Sequence, residues 1–116
     1  MAFERDPQFA GEWVGQVGQV WGVLTLGELE PHRLFGSFVA DDGSAEYVLL
    51  LEQTLLQSET GGRTPSNRVT FTWQDGLGAR GRGWLLINRE DTALTGSFGY
   101  DSGAHGVGEW TMLRSE

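Results

Sequence analysis

Two stretches of this chain spell nearly the same phrase. Residues 34–50 read LFGSFVADDGSAEYVLL and residues 94–113 read LTGSFGYDSGAHGVGEWTML. Leu34, Gly36, Ser37, Phe38, Asp41 and Gly43 match Leu94, Gly96, Ser97, Phe98, Asp101 and Gly103 at one constant offset. Glu46 and Tyr47 match Glu109 and Trp110 after a small insertion, and GVLTL at 22–26 parallels GWLLI at 83–87. Two units of similar plan are implied. A four-stranded unit with one apolar face cannot bury that face alone, but two such units can bury theirs together, as a sandwich or as a closed barrel. Closure leaves no open edges.

Helical periodicity is weak throughout, whereas period-two alternation is common. RVTFTWQ at 68–74 is the clearest case: Val69, Phe71 and Trp73 point one way, and Arg68, Thr70, Thr72 and Gln74 the other. The remaining expected strands are 12–17, 20–29, 33–40, 45–56, 79–89, 94–100 and 107–114. Short connections rich in Asp, Gly and Ser suit hairpins. The expected fold is therefore all-β: an eight-stranded antiparallel up-and-down β-barrel with an internal two-fold sequence repeat. Residues 1–10 read as an N-terminal tail. Residues 11–116 read as one domain, its halves (11–56 and 67–116) joined by the polar loop 57–66, either a linker or a lid. The glycine content, 18 of 116 residues, fits bends in a tightly coiled barrel. Gly15, Gly36, Gly81, Gly83, Gly96 and Gly99 fall within strands, where a missing side chain relieves crowding.

The first and last strands carry a second signal. GEW at 11–13 opens the first and EWTMLR at 109–114 closes the last. This pairing resembles the calycin barrels (lipocalins, fatty-acid-binding proteins and avidins). The resemblance implies that Trp13 and Arg114 are structural, the guanidinium lying over the indole to shut one end. Such a contact gains roughly 0.5–2 kcal/mol. Among calycins, the layout GEWVGQVGQVWGVLT followed by LFGSF and EYVLL is similar to the first strands of avidins. The residues that hold biotin there are not matched: Gly15 and Gln19 stand at the polar positions of the first hairpin, and Phe38 at the tyrosine. Each missing hydrogen bond to a buried ureido group costs about 1–3 kcal/mol, so the resemblance implies the barrel without biotin. The duplicated, Trp-rich pattern is also similar to small sugar-binding barrel lectins, whose Trp-Gly-Gly and Pro-Trp motifs are absent.

Composition narrows the chemistry. The chain carries 16 acids against 8 basic residues, all arginine, for a net charge of −8. Such a balance opposes binding to phosphate backbones, so nucleic acid is not an expected partner. Without lysine or cysteine, Schiff-base, P-loop and thiolate chemistry are excluded. No apolar run approaches the ~20 residues of a membrane span, and the first residues lack a signal-peptide pattern. A cytoplasmic protein with no membrane partner is the expectation. No cofactor and no metal site are expected. The histidines His32 and His105 fall in expected turns, and neither has a second histidine at ligand spacing. His105 with Asp101 is the weak candidate for an acid–base pair at a barrel mouth.

The aromatic residues remain. Trp21, Phe38, Tyr47, Phe71, Trp73, Trp84, Phe98, Tyr100 and Trp110 are the candidate ligand-binding residues, with Gln19 and Asn88 as polar tips. An eight-stranded barrel is just wide enough to be filled by side chains or to hold one small ligand. Burying ~200 Å² of ligand at ~25 cal/mol/Å² yields roughly 5 kcal/mol before losses. The expected function is binding of a small, mostly apolar, polycyclic-type ligand in the lumen. The alternatives are a barrel cyclase that acts by confining its substrate, and a glycan or protein interaction module using exposed tryptophans. Homo-oligomers built through the outer faces are compatible with either.

Overall fold

The computed structural model describes residues 8–57, 61–100 and 108–115. Eight strands close into a barrel in which each pairs antiparallel with its sequence neighbours and β1 pairs with β8. They are β1 (Gly11–Val17), β2 (Val20–Glu30), β3 (Arg33–Ala40), β4 (Glu46–Gln57), β5 (Arg63–Gln74), β6 (Arg80–Ile87), β7 (Ala93–Tyr100) and β8 (Gly108–Arg114). No described residue is helical. The expected all-β up-and-down barrel is the fold.

Two boundaries differ from the sequence reading. The polar segment 57–66 is shorter as a connection, because Gln57 pairs with Arg63 and Leu55 with Pro65 beyond a register shift at Gln53–Leu55. Backbone pairing does not require apolar side chains, so the polar composition concealed it. Residues 8–10, assigned to a tail, meet the barrel: Phe9 is 2% exposed and its carbonyl accepts a hydrogen bond from Trp13 Nε1 at 2.9 Å.

The two halves follow similar plans in shifted register. Gly36 of β3 lies opposite Leu26 and Leu49, whereas Gly96 of β7 lies opposite Leu85 and Trp110. The sequence match pairs Leu26 with Ile87 and Tyr47 with Trp110, so both neighbours of β7 are displaced by two residues relative to those of β3. A slip of two preserves which face each side chain occupies. The shift seats Trp110 deep in the lumen, while Tyr47 stays near the rim.

Glycines make room for the lumen's rings. Phe71 lies opposite Gly83, Trp73 opposite Gly81 and Trp110 opposite Gly96. A Cβ on Gly81 would come within 2.9 Å of Trp73 Nε1, and one on Gly83 would penetrate the Phe71 ring. Phe71 and Trp73 thus occupy volume that a side chain on the opposite residue would need, whereas a Cβ on Gly96 would strike the Trp84 carbonyl and the Leu85 side chain.

At the closed end, the Arg114 guanidinium carbon sits 4.1 Å from the Trp13 ring centroid. Its Nε donates to the Asp91 carbonyl at 2.6 Å, one Nη to the Ala10 carbonyl at 2.9 Å, and the other to the Gln8 carbonyl. One cation therefore ties the segment before β1, the β6–β7 turn and β8 across the barrel floor.

Gly83→Ala should lower stability by about 1–3 kcal/mol through overpacking. Gly27→Ala, where a Cβ meets nothing within 4 Å, should be neutral or stabilising by a few tenths, because the unfolded chain loses freedom. Urea midpoints of the two variants test this; equal effects would show that the ring-over-glycine fit is not tight.

Candidate functional site

The antiparallel order puts the β1–β2, β3–β4 and β5–β6 turns, the end of β7 and the start of β8 at one end of the barrel, the mouth, and the plug at the other. Seven of the nine candidate aromatics share the lumen face. Near the mouth, Tyr47 stacks on Phe38 with centroids 5.8 Å apart, and meets Trp73 edge-on at 5.3 Å. Trp73 in turn contacts Phe98 at 5.5 Å and Tyr100 at 5.7 Å. Deeper, Trp110 receives Phe38, Phe71 and Phe98 edges at 5.6, 5.7 and 6.0 Å. Edge-to-face contacts of this kind add about 0.5–1.5 kcal/mol each beyond burial. The rings form one connected stack from rim to centre.

Exposure varies along the stack. Phe38, Phe71, Trp73, Phe98 and Trp110 are buried, Tyr47 is half-buried and Tyr100 is 59% exposed. Trp73 Nε1 donates to the Gly99 carbonyl at 3.0 Å. Trp110 Nε1 is buried and has no hydrogen-bond partner among the described residues. Leaving such a donor unpaired costs about 1–3 kcal/mol. Beneath the tyrosines the rings pack against a cluster of buried hydrophobic side chains that includes Leu24, Leu49, Leu85 and Leu94.

Desolvation raises the Tyr47 phenol above its ordinary value of 10.0, and the neighbouring Tyr100 and Asp75 add to the rise by opposing a second negative charge. The raised value favours the neutral phenol in the folded state.

Four candidates do not line the lumen. Trp21 is 60% exposed on the outer face of β2. Leu24 and Leu26 point inward, so strand parity sends Trp21 outward. Trp84 is half-buried on the outer face of β6, where Leu85 and Ile87 take the inner positions. Gln19 is exposed in the β1–β2 turn. Asn88 lies at the plugged end, where its Oδ1 accepts the Thr92 and Ala93 amides at 2.8 and 3.0 Å and its Nδ2 donates to Thr92 Oγ1 at 2.8 Å. It staples the β6–β7 turn in the manner of an Asx turn. Asp101 and His105 lie outside the described residues.

His32 occupies a tight turn with φ 67° and contacts Gln53 Oε1 at 3.3 Å. Asp42 accepts the Ser44 amide at 2.8 Å, and hydrogen bonding first to the Ser44 side chain and then to this amide lowers its pKa. Both are turn residues. Glu46 and Glu109 are exposed. Among the described residues no group of three or more His, Asp or Glu side chains converges as a metal site would.

What the sequence reading missed lies outside the barrel. Two adjoining grooves, about 690 and 580 Å³, run along the outer face of β4, β5 and β6 and share Leu50, Thr72 and Arg82. The outward parity of Arg68, Arg80 and Arg82 was the available signal.

Fold and site together define a small closed antiparallel barrel whose interior is a continuous aromatic stack, plugged at one end. Comparison with protein-family models, curated proteins and solved structures finds no match. The likeness to calycin barrels rests on the eight-stranded closure and the Arg114–Trp13 contact, with no matched family behind it.

The Tyr47 shift has a consequence for pH. Because the folded pKa is raised, the stability from the neutral phenol is complete below pH 10.0 and is lost as pH climbs through the raised value. With no lysine, no cysteine and only two tyrosines, few other groups titrate there. Tyr47→Phe should flatten the decline of urea midpoint between neutral and strongly alkaline pH; an unchanged slope would place the titrating group elsewhere.

Proposed function

We propose that the protein binds a small, flat, mostly apolar molecule at the mouth half of its lumen. The observation that carries this reading is the unpaired Trp110 indole N–H at the inner end of an aromatic stack whose outer members, Tyr47 and Tyr100, are partly open to solvent. An entering ring system that displaces the two tyrosines would meet Phe38, Trp73 and Phe98 as walls. A carbonyl or ether oxygen on it would accept the orphan N–H and recover its cost. The walls of the stack are benzene and indole surfaces, which suits the binding of an apolar ring system. A cyclase acting through confinement would use the same walls, and an assay of chemistry is needed to raise it above a binder.

The test is the set of indole N–H signals in a 1H–15N spectrum. Naphthalene derivatives that bear a ketone should shift the Trp110 and Trp73 signals, and leave Trp13, already bonded to Phe9, and the exposed Trp21 in place. Naphthalenes lacking an acceptor should bind more weakly by roughly tenfold, the equivalent of one recovered hydrogen bond. Shifts confined to Trp21, or none with any ring compound, would eliminate the lumen as a site.

A second surface supports self-association. Leu113, Val14, Val23 and Val39 are directly opposed across β8, β1, β2 and β3. Leu113, Val14 and Val39 are exposed on the outside, with Trp21 beside them on β2. Gln16, Thr25, Ser37 and Thr111 extend it into a largely uncharged face, bordered by Glu12 opposite Thr25, on a molecule of net charge −8. Like-charged copies approach most cheaply through such a face. Sedimentation equilibrium should give a multiple of 12.7 kDa, reduced to the monomer mass by Val14→Glu. A monomeric wild-type chain would exclude this reading.

A further inference from the structure

The groove on the outer face of β4–β6 has a chemical character that neither the lumen nor the uncharged face shares. Three strands present a two-row grid there. In one row Leu50, Thr72 and Arg82 are directly opposed, and in the other Val48, Gln74 and Arg80. Residues two apart on a strand share a face with about 6.6 Å between them. The grid therefore runs from an apolar column on β4, through a column of uncharged hydrogen-bonding groups on β5, to two guanidiniums on β6. Gly81, between the two arginines, helps line the groove, and Gly99, opposite Arg82 on β7, leaves that flank without a side chain.

The two arginines are unpaired in circumstances where pairing would be easy. The chain holds twice as many acids as arginines, 16 to 8. Arg33 pairs with Glu30, and Arg114 is held by three carbonyls. Among the described residues, no ion pair or hydrogen bond engages the guanidinium of Arg80 or Arg82. No carboxylate lines the 580 Å³ groove that they share. The adjoining groove, which shares Arg82, is lined by Glu30 and Glu52, so among the described residues the carboxylates stop short of the groove that holds both Arg80 and Arg82.

We propose that this groove is a binding site for a small amphiphilic organic anion. Its carboxylate or sulfate head would lie between Arg80 and Arg82, and its apolar body along Val48 and Leu50. Planar guanidiniums suit an oxyanion with two or more acceptors, and charge-assisted bonds are about twice as strong as neutral ones. Thr72 and Gln74 supply further hydrogen bonds beside the head. The volume falls in the 300–1,000 Å³ range of small-molecule sites. The net charge of −8 repels a polyanion at long range, so a singly charged ligand is the fit. This site opens on the opposite side of the sheet from the proposed lumen site, since outward and inward residues alternate along the same strands, and Trp73 borders both.

The experiment is a 1H–15N titration of the protein with 4-phenylbutyrate, its uncharged amide, acetate and inorganic sulfate. Phenylbutyrate should give saturable shifts at the amides of Thr72, Gln74, Arg80 and Arg82, while the Trp110 indole signal stays in place. The amide should lose binding through the missing charge, and acetate and sulfate should bind more weakly through the missing apolar body. Arg80→Gln and Arg82→Gln should each weaken phenylbutyrate by about tenfold, while Arg89→Gln, at the plugged end, should not. Both changed residues face outward, so folding is preserved, and the Trp13 indole signal verifies it. The proposal is overturned if the groove amides do not move, if the amide binds as well as the acid, if acetate binds as well as phenylbutyrate, or if both glutamine variants bind like the wild type. Movement of the Trp110 signal alone would support the lumen site and refute this one.

Discussion

The interaction on which the barrel depends is the seating of large rings over glycines across strand pairs. Eight short strands enclose too little volume for seven lumen-facing aromatic side chains if every neighbour also carries a side chain. Placing Gly83 opposite Phe71 and Gly81 opposite Trp73 solves the volume problem one pair at a time. The same fit dictates the edge-to-face geometry of the stack, because a ring lying over bare backbone can turn its edge to the next ring. The seats of Phe71 and Trp73 within the lumen follow from where along β6 these glycines stand.

The fold was legible because alternation and turns are local properties. Val69, Phe71 and Trp73 alternate with polar residues, and that pattern has one structural meaning. The repeat was legible as a match of residues but not of register. Slipping one strand by two leaves every inward residue inward, so sequence comparison has no means of detecting it. Trp110 consequently lies deeper than its apparent counterpart Tyr47. The errors at Trp21 and Trp84 were avoidable: Leu24 with Leu26, and Leu85 with Ile87, already assign those tryptophans to the outer face. Asn88 was misread because its amide looked free to serve a ligand, when five residues of turn geometry consume it.

The outer groove shows a different limit. Arg80 and Arg82 stand close together in the sequence, but their neighbours come from residues 48–50 and 72–74. Only the pairing of β4 with β5 and of β5 with β6 assembles the grid. Chemistry built along a strand can be read from the chain; chemistry built across strands has to wait for the register.

The floor of the barrel bears on how the chain finds its structure. The Arg114–Ala10 bond joins groups 104 residues apart. Hairpins elsewhere can zip from adjacent turns, but this seam must gather both ends of the described chain against the entropy of the whole loop between them. Closing the seam therefore carries a larger loop-entropy cost than closing any hairpin of the barrel. A chain stopped short of β8 would present the bare edges of β1 and β7 and leave the Trp13 indole without its guanidinium cover.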